Sequence, residues 1–341
     1  MGVDLKDVVK PRRLSLRQLA GEVLAIDAYN ALYQFLAIIR GQSGEPLMDR
    51  EGRITSHLSG LFYRNVNFLV LGIKPLYVLD GTPPSLKTIE IERRKSAKNE
   101  ALIRYLEALR TGNIEQARKY AQGTSLIKDY MIEDTKRVLD LLGIPWILAP
   151  SEGEATAAYL STVGVATATA SQDFDSLLFG AKRLVRNLTI SGRRKLPNRP
   201  VYVEVAPEEI VLKDLLDDLA MTREQLIDVG VLIGTDFNPD GFRGIGPAKA
   251  VKFVKTYGRL ESIPDIQDKL AELDYQQIRN IFLYPSVARS VTPMWEAPEE
   301  GPLIDFLCKE RDFSEERVRN AFSRLKEIES NQSQGLEKWF S

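Results

Sequence analysis

The chain has 341 residues, and its 46 Lys and Arg residues nearly balance its 47 Asp and Glu residues, which leaves a formal net charge of −1. The total charge therefore neither indicates nor excludes a nucleic-acid partner. A single cysteine, Cys308, rules out an intrachain disulfide framework, and a single histidine, His57, argues against a His-rich zinc site and His-based acid–base catalysis. The sequence has no signal peptide and no apolar run of about 18 residues, so we expect a soluble, intracellular protein rather than a membrane protein.

Helix and strand patterns alternate through the first half of the chain, which predicts an α/β fold. In order, the patterns indicate a helical turn at 15–19, a strand at 22–27, a helix at 30–40, a loop at 41–52, a helix at 55–71 and a strand at 75–80. A charged helical excursion follows at 83–128. Its apolar residues are sparse at first, so we expect it to pack only partly on the rest of the protein.

The second half continues the alternation and then becomes mostly helical. The patterns indicate a helix at 134–142, a strand at 144–148, a helix from 155, a strand at 164–170, and a hairpin whose strands are 183–189 and 201–205. The basic tip of this hairpin, 191–199, is either a solvated loop or a contact for a phosphate backbone. Thr222 and Gln225 form a capping box that opens a helix ending near 232. Residues 260–330 are expected to be mostly helical with Pro-containing breaks, and the last helix is expected at 314–329.

Acidic residues follow the predicted core strands at the point where each strand ends. Because open α/β sheets bind ligands beyond the carboxyl ends of their strands, these side chains can converge on one cleft. Together with two acidic residues next to predicted helices, the set is Asp27, Asp80, Glu152, Glu154, Asp173, Asp175 and Asp236. For Glu154 the alternative is a structural role, in a capping box with Ser151 as the N-cap.

The number of these carboxylates points to bound cations. Two full charges about 4 Å apart repel by roughly 4 kcal/mol at an effective dielectric constant of about 20, so seven carboxylates in one cleft need cations or shifted pKa values. Oxygen-only ligands favour Mg²⁺ or Mn²⁺ over zinc. The pattern therefore indicates a two-metal phosphodiester hydrolase.

Two basic residues and one aromatic residue are candidates to act beside these carboxylates. Lys87 and Arg94 are two helical turns apart and share one face of the charged helix that starts soon after Asp80. They are either part of a solvated charged face or a pair of cations that neutralise charge on a phosphate oxygen. Tyr33 lies off the apolar stripe of its helix, and it is either a partly exposed tyrosine or a platform on which a base stacks near the metals.

A glycine turn joins two predicted helices in the second half. Gly244 and Gly246 allow a tight turn, Pro247 suits the first turn of the following helix, and Lys249 and Lys252 lie behind it. Exposed backbone amides at the start of a helix can hold a phosphate without reading base sequence. The segment therefore predicts non-specific binding of duplex DNA.

The carboxyl-terminal residues 331–341 are polar, and we expect them to form a flexible tail. Leu336, Trp339 and Phe340 are apolar exceptions in this tail. They either dock on the body of the same chain or anchor it in a pocket of a partner.

Together these residues resemble the flap endonucleases of DNA replication and repair, most of all the archaeal members. The stretches that carry the resemblance are Met1-Gly-Val-Asp-Leu, Ala25-Ile-Asp-Ala, Tyr77-Val-Leu-Asp-Gly-Thr-Pro-Pro, Ala149-Pro-Ser-Glu-Gly-Glu-Ala, Ser171-Gln-Asp-Phe-Asp, Ile233-Gly-Thr-Asp-Phe-Asn and Arg243-Gly-Ile-Gly-Pro-Ala-Lys-Ala. The resemblance implies a three-layer α/β/α fold with a central, mostly parallel sheet of the 5′-nuclease (PIN-like) type. It also implies a nuclease domain at 1–330 that contains a helical arch at 83–128 and a helix–hairpin–helix subdomain at 220–260.

The resemblance further implies roles for individual residues. The seven carboxylates hold two Mg²⁺ ions, for which Mn²⁺ is expected to substitute. Lys87 and Arg94 correspond to the family's basic pair at the base of the arch, Tyr33 stacks near the scissile nucleotide, and the amine of Gly2, freed by removal of Met1, lies near the site. The glycine turn holds the downstream duplex together with a K⁺ ion. The expected DNA contacts are Arg40, Arg64, Arg243, Gly244, Gly246, Lys249 and Lys252.

By resemblance, the tail binds a DNA sliding clamp through Ser333, Leu336, Trp339 and Phe340, and Ser333 stands where the family has glutamine. The implied activity is that of a monomeric, structure-selective 5′ flap endonuclease and 5′ exonuclease that cuts branched DNA in Okazaki fragment processing and repair. The alternatives are a related junction or bubble endonuclease, a Mg²⁺-dependent phosphatase, and a catalytically silent DNA- or clamp-binding scaffold.

Overall fold

A computed structural model describes residues 2–41, 44–124, 126–195 and 202–337 of the protein. The strands are β1 (Arg12–Arg13), β2 (Val23–Asp27), β3 (Lys74–Leu79), β4 (Trp146–Leu148), β5 (Ala168–Ala170), β6 (Arg183–Arg186), β7 (Gly192–Lys195), β8 (Tyr202–Val205) and β9 (Glu208–Val211). The helices are α1 (Ala28–Ile38), α2 (Ser56–Val70), α3 (Thr88–Arg110), α4 (Ile114–Ala121), α5 (Asp129–Leu141), α6 (Gly153–Val163), α7 (Asp175–Leu178), α8 (Leu212–Leu219), α9 (Arg223–Ile233), α10 (Pro247–Tyr257), α11 (Gln267–Ala271), α12 (Tyr275–Leu283), α13 (Glu300–Ile304) and α14 (Glu315–Glu337). Single 3₁₀ turns lie at Leu16–Leu19, Ser85–Lys87, Gln122–Thr124, Leu260–Ser262 and Pro264–Ile266, and a π-helical stretch at Asp305–Glu310.

The centre of the fold is a seven-stranded sheet with the strand order β1-β9-β6-β5-β2-β3-β4. The five strands from β6 to β4 in this order run parallel, whereas β9 is antiparallel to β6 and β1 is antiparallel to β9. The first core strand has its predicted end at Asp27, and the second ends one residue before Asp80. The predicted α/β class with a mostly parallel sheet is confirmed.

Helices cover both faces of the sheet, so its central strand β2 is buried on both sides. Leu24 and Ile26 point into a core that α1, α2, α5, α13 and α14 also line. Ala25 points to the opposite core, where it meets Leu76 of β3 and Leu160 of α6. A further core joins β6 and β9 to α7, α9, α10 and α12. The result is the predicted three-layer arrangement, and no helix of the described residues is long and apolar enough to cross a bilayer.

The charged excursion predicted after the second core strand is helical. α3 and α4 pack on each other, joined by a turn in which Gly112 has a φ of +69°. Their shared small core consists of Tyr105, Ala108, Ala117 and Ala121. Away from this core α3 meets the body through ion pairs, among them Arg93 with Asp240 at 3.0 Å. The excursion is therefore a pair of helices with its own small core, and its role as an arch stays a prediction.

The hairpin that the sequence predicts for 183–189 and 201–205 is wrong in its first strand. β6 ends at Arg186, where Asn187 takes a φ of +59°, and β6 lies in the main sheet between β5 and β9. β8 pairs instead with β7, whose residues the sequence pattern assigns to the basic tip. A run of β-forming residues indicates a strand but does not identify its partner.

The predicted Pro-containing break in the carboxyl-terminal helices is confirmed, whereas the predicted tail differs from the structure. Residues 285–299, which include Pro285, Pro293 and Pro298, form no helix, and the Trp295 indole donates to the Pro75 carbonyl of β3 at 2.8 Å. α14 continues to Glu337, so 331–337 is helical where a flexible tail is predicted. The sequence there contains no proline that would stop the helix. The domain boundary at 330 stays a prediction.

Candidate active site

The sheet topology brings five of the seven acidic residues to one edge. Asp27 ends β2, Asp80 directly follows β3, Glu152 follows β4, and Asp173 and Asp175 follow β5. The four strands are parallel neighbours, and their last residues are in register: Asp27 pairs with Val78, Leu79 with Leu148, and Ile26 with Ala170. The carboxyl ends of parallel strands open on the same crevice, where α/β proteins bind ligands.

The remaining two acidic residues come from helices. Glu154 lies in the first turn of α6, and its carboxylate accepts hydrogen bonds from the backbone N–H, at 3.0 Å, and the hydroxyl of Ser176. The alternative considered for Glu154, a capping box with Ser151, is therefore not formed, because the N-cap of α6 is Glu152. Asp236 follows α9 in a turn that Asn238 holds, since its side-chain amide donates to the Val231 carbonyl at 2.7 Å.

The protein's own donors hold the carboxylates of this site. Lys87 Nζ donates to Glu152 and lies 3.2 Å from Asp236 Oδ2. Arg94 donates to Asp236, and its Nε is fixed by Glu90 at 2.8 Å. Backbone amides bind two others, Gly153 N–H to Asp80 and Val3 N–H to Asp175, each at 2.6 Å. Within the described ranges, no three acidic side chains yet form a compact shell for a metal ion.

Burial and mutual repulsion keep several of these acids from ionising readily. Burial, followed by repulsion from Asp80, raises the pKa of Asp27 well above its usual value. Burial and the neighbouring Asp175 raise the pKa of Glu154 well above its usual value in the same way. For Asp175, burial and repulsion from Asp236 raise the pKa to about 7. The carboxylates therefore call for more positive charge than Lys87 and Arg94 supply.

Lys87 and Arg94 lower the pKa of one carboxylate, that of Asp236. Burial disfavours the charged form of Asp236, but Lys87 and Arg94 outweigh that effect and lower its pKa. Burial also disfavours the charged form of Lys87, yet Glu152 and Asp236 raise its pKa. Two basic side chains thus face seven carboxylates. Every atom that these carboxylates could offer to a metal ion is an oxygen. This donor set fits hard divalent cations such as Mg²⁺.

The structure places Gly2 beside the carboxylate of Asp175 and Tyr33 beside α3. A Cβ at residue 2 would lie 2.5 Å from Cγ of Asp175, so only glycine fits there without displacing that carboxylate. Tyr33 is partly exposed on α1, and Lys98 Nζ of α3 lies 3.8 Å from the centre of its ring. A base that stacks on this face would take the place of the Lys98 ammonium group.

The predicted duplex-binding turn has the expected local geometry. Gly244 is exposed with a φ of +77°, Gly246 is the N-cap of α10, and Pro247 occupies its first turn. Lys249 and Lys252 are exposed on the helix that follows. Upstream, the capping box of Thr222 and Gln225 is confirmed at the start of α9. Arg243, beside Gly244, is exposed as well.

Arg40 and Arg64 are occupied with backbone contacts. Arg40 donates to the carbonyls of Leu36 and Gly44, both at 2.9 Å, and so ties the end of α1 to the following loop. Arg64 donates to the carbonyl of Ser191 at 3.0 Å. These bonds give both residues a structural role, and their contact with DNA stays a prediction.

Of the four predicted clamp-binding residues, Ser333 and Leu336 lie in the last turns of α14. Trp339 and Phe340 lie outside the described residues. The clamp contact therefore stays a prediction as well.

Sequence reasoning missed three polar residues that support this site. Asn30 and Gln34 are on α1, and Thr189 follows β6. A usable signal exists for the first two, because they lie three and seven residues after Asp27 and so share its face of the helix. Thr189 gives no such signal, since its partner Gln34 is 155 positions away in the chain.

Comparisons with known proteins follow the same segments. The model of the XPG N-terminal domain matches residues 1–101, and that of the XPG I-region matches residues 143–236. Flap endonuclease 1 of Nitrosopumilus maritimus is 57% identical over 340 residues, covering 100% of both chains. Flap endonuclease 1 of Pyrococcus furiosus is 50% identical over 341 residues, covering 100% of this chain and 99% of the relative.

Solved structures show the same fold. Flap endonuclease-1 from Methanococcus jannaschii superposes with a TM-score of 0.75 at 37% identity, over 97% of this chain and 100% of that one. The catalytic core of Rad2 in complex with a DNA substrate has a TM-score of 0.68 at 23% identity, over 94% and 97% of the two chains, and shares the fold alone. With half or more of its residues identical to those of the archaeal proteins over its full length, the chain belongs to the flap endonuclease 1 family of structure-specific nucleases.

Proposed function

We propose that the protein is a 5′ flap endonuclease and 5′ exonuclease that hydrolyses phosphodiester bonds of branched DNA in Okazaki fragment processing and repair, inside the cell and as a monomer. The full-length similarity to proteins named flap endonuclease 1 supports this reaction. The Rad2 core, which has the same fold, was solved with a DNA substrate, which supports DNA as the ligand.

The observation that carries the proposal is that five of the seven carboxylates follow the carboxyl ends of neighbouring parallel strands. Lys87 and Arg94 reach from the arch to Glu152 beside β4 and to Asp236 after α9. A phosphatase has no use for the glycine turn and the lysine-bearing helix α10, and a scaffold has no use for the basic pair. A nuclease needs it, because negative charge builds on the phosphate oxygens in the transition state.

Nucleases of this family are metal-dependent, and GEN1, a junction-resolving enzyme of the same fold (TM-score 0.57, 20% identity, over 88% of this chain and 70% of that one), was solved with product DNA and Mg²⁺. We assign two Mg²⁺ ions, replaceable by Mn²⁺, to the seven carboxylates. When bound, such ions lower the pKa of an attacking water and stabilise charge on the leaving oxygen. The ligands would be Asp27, Asp80, Glu152, Glu154, Asp173, Asp175 and Asp236.

The basic pair has a second task once DNA is bound. Lys87 and Arg94 neutralise Glu152 and Asp236 in the structure. With their side chains directed at the same crevice, both can donate to the non-bridging oxygens of the scissile phosphate. Tyr33, which lies against Lys98 of α3, would stack on a base, and the amine of Gly2 would lie at the Asp175 side, so the nucleotide would be held between the arch and the sheet.

Binding of the rest of the DNA is assigned to separate surfaces. The turn at Gly244 and Gly246 would hold the downstream duplex backbone, with a K⁺ ion, and Arg243, Lys249 and Lys252 would contact its phosphates. The tail with Ser333, Leu336, Trp339 and Phe340 would bind a sliding clamp.

Cleavage of an end-labelled double-flap DNA tests the proposal. We expect a short 5′ product with Mg²⁺, no product with EDTA and no product from plain duplex. Asp173→Ala should lose more than about 10³-fold in cleavage rate, since an ion that activates water is lost, while Asp218→Ala, on the exposed face of α8, should cleave normally. Tight DNA binding without cleavage would instead favour the scaffold, and preferred cleavage of bubbles or four-way junctions would favour the related endonuclease.

A further inference from the structure

A relay of hydrogen bonds runs from Thr189, through two side chains of α1, to Asp173 of the candidate metal site. The Thr189 hydroxyl donates to Gln34 Oε1 at 2.6 Å, the Gln34 amide donates to Asn30 Oδ1, and the Asn30 amide donates to Asp173 Oδ2 at 3.1 Å. The backbone N–H of Asn30 also donates to Asp27 Oδ1 at 3.0 Å. One residue, Asn30, therefore holds one oxygen of each of two acidic residues that come from different strands.

The direction of this relay is fixed by its chemistry. Asn30 Oδ1 accepts from the backbone N–H of Gln172 at 3.2 Å, and a backbone N–H can only donate. At the other side of the amide, the Asn30 Nδ2 amino group donates to Asp173 Oδ2. Asn30 therefore cannot flip without setting an amide donor against a backbone donor and an amide oxygen against a carboxylate.

The loop that carries Asp173 is held at its other side as well. Arg186 Nε donates to the Gln172 carbonyl at 3.0 Å, and its guanidinium carbon lies 4.2 Å from the centre of the Phe174 ring. The Gln172 peptide is thus bonded at its N–H by Asn30 and at its carbonyl by Arg186. Because the Gln172 peptide is held on both sides, the bond from the Asn30 amide sets the orientation of the Asp173 carboxylate.

We propose that Asn30, oriented by Gln34 and Thr189, is a positioning residue that presents the carboxylates of Asp27 and Asp173 to the metal ions. Each carboxylate has one oxygen held by Asn30, which leaves the other oxygen as the metal ligand. This inference rests on the metal assignment under Proposed function. Partners that orient metal ligands typically contribute about 10- to 100-fold to metal affinity.

The space beside the relay decides which substitution tests it. A cavity of about 10 Å³ lies between Asp27, Asn30, Gln34, Gln172 and Thr189, which is room for about one water. Alanine at position 30 would widen this cavity and admit water as a substitute donor. Asn30→Leu keeps the branched shape and removes the side-chain donor to Asp173 and the acceptor for Gln34, while the backbone N–H to Asp27 remains. Thr189→Val likewise removes the hydroxyl at the far end, and Thr189→Ser retains it.

Binding of Mn²⁺ to the metal-free full-length protein, followed by the EPR signal of free Mn²⁺, measures the effect without catalysis. We expect Asn30→Leu to weaken Mn²⁺ binding by roughly 10-fold or more. Thr189→Val should weaken it less, in the same direction, and Thr189→Ser should restore it. Flap DNA affinity in Ca²⁺ should stay unchanged, and cleavage by Asn30→Leu should recover at high Mn²⁺.

Two further variants keep the outcomes distinct. Asn65→Ala removes another buried amide, one that donates to the Leu61 carbonyl and the Tyr77 hydroxyl, so it reports the general effect of such a loss and should leave Mn²⁺ affinity unchanged. Asp173→Asn tests the metal assignment itself. If it loses Mn²⁺ affinity while folded Asn30→Leu binds like wild type, the positioning role is wrong. If Asp173→Asn also binds like wild type, the metal assignment is wrong.

Discussion

Gly2 shows how a single missing side chain can shape the site. A Cβ at residue 2 would lie 2.5 Å from Cγ of Asp175, and the next residue, Val3, donates its N–H to the same carboxylate at 2.6 Å. Gly2→Ala is therefore expected to displace Asp175 and to weaken Mn²⁺ binding roughly 10-fold or more, with a parallel loss of cleavage. Mn²⁺ titration and single-turnover cleavage measure the two effects.

Gly301→Ala is the matched control for that change. Nothing lies within 4 Å of a Cβ at residue 301, which is in α13, so Mn²⁺ affinity and cleavage should equal those of wild type. Wild-type Mn²⁺ affinity in Gly2→Ala would contradict the close approach to Asp175.

His57 predicts an acid-sensitive component of stability that is separate from the metal site. It is fully buried, and neither ring nitrogen has a hydrogen-bond partner among the described residues. Burial, helped by Arg311, lowers its pKa to about 3. The unfolded chain therefore binds one more proton than the folded chain between that pH and about 6.5. This contribution is complete above that window and is lost as the pH falls through it.

The expected size is about 1 kcal/mol of unfolding free energy lost between pH 7.5 and 5.5. Urea unfolding of wild type and His57→Gln across this range, both with Mg²⁺, isolates the effect as the difference between the two curves. The wild-type curve should fall more steeply toward acid. Parallel curves would mean that His57 does not titrate differently in the folded and unfolded states.

At the scale of elements, the helical excursion contacts the site through two basic residues. Lys87 directly precedes α3, and Arg94 lies within it. Lys87→Ala is expected to lower single-turnover cleavage by about 10²- to 10³-fold, because a donor aimed at developing charge is lost. DNA affinity should change much less, since one phosphate contact among many is removed. Quench-flow cleavage and fluorescence anisotropy with Ca²⁺ measure the rate and the affinity.

Lys95→Ala supplies the control on α3, the helix that directly follows Lys87. Lys95 is exposed, so its removal takes the same charge from the excursion without touching the carboxylates. It should cleave at nearly the wild-type rate. Equal losses in both variants would show that the net charge of the arch, and not the contact of Lys87 with Glu152 and Asp236, is what matters.

Local sequence patterns predicted helices and strands well where a buried apolar run or a chain break determines the end of the element. Asp27 and Asp80 end apolar runs, and the structure puts both at strand ends. Patterns failed where a distant partner decides. The capping box at Ser151 is chemically sound, but Ser176, 22 residues beyond Glu154 in the chain, holds that carboxylate instead. The hairpin failed for the same reason, because strand pairing is not encoded in either strand alone.

At the scale of the whole molecule, the site is assembled from distant segments, and this could be predicted only in part. Parallel strands that end together account for the meeting of Asp27, Asp80 and Asp173. No sequence rule places Asp236 beside them, because it follows α9 and meets Lys87 from outside the sheet. The relay through Asn30 was also missed, since it joins residues 143 positions apart.

DNA binding should depend on the whole basic surface and not on the site alone. With about 6–10 phosphate contacts, the affinity for flap DNA should fall by roughly 10³- to 10⁵-fold between about 50 and 200 mM salt. Removing two contacts with Lys249→Ala/Lys252→Ala should flatten the slope of log K against log salt by about 2, whereas cleavage of bound DNA proceeds normally. Arg13→Ala/Arg17→Ala removes the same charge from exposed residues at β1 and the turn that follows it and should leave the slope unchanged. If both pairs flatten the slope equally, the protein is attracted by its overall charge and α10 is not a specific duplex contact.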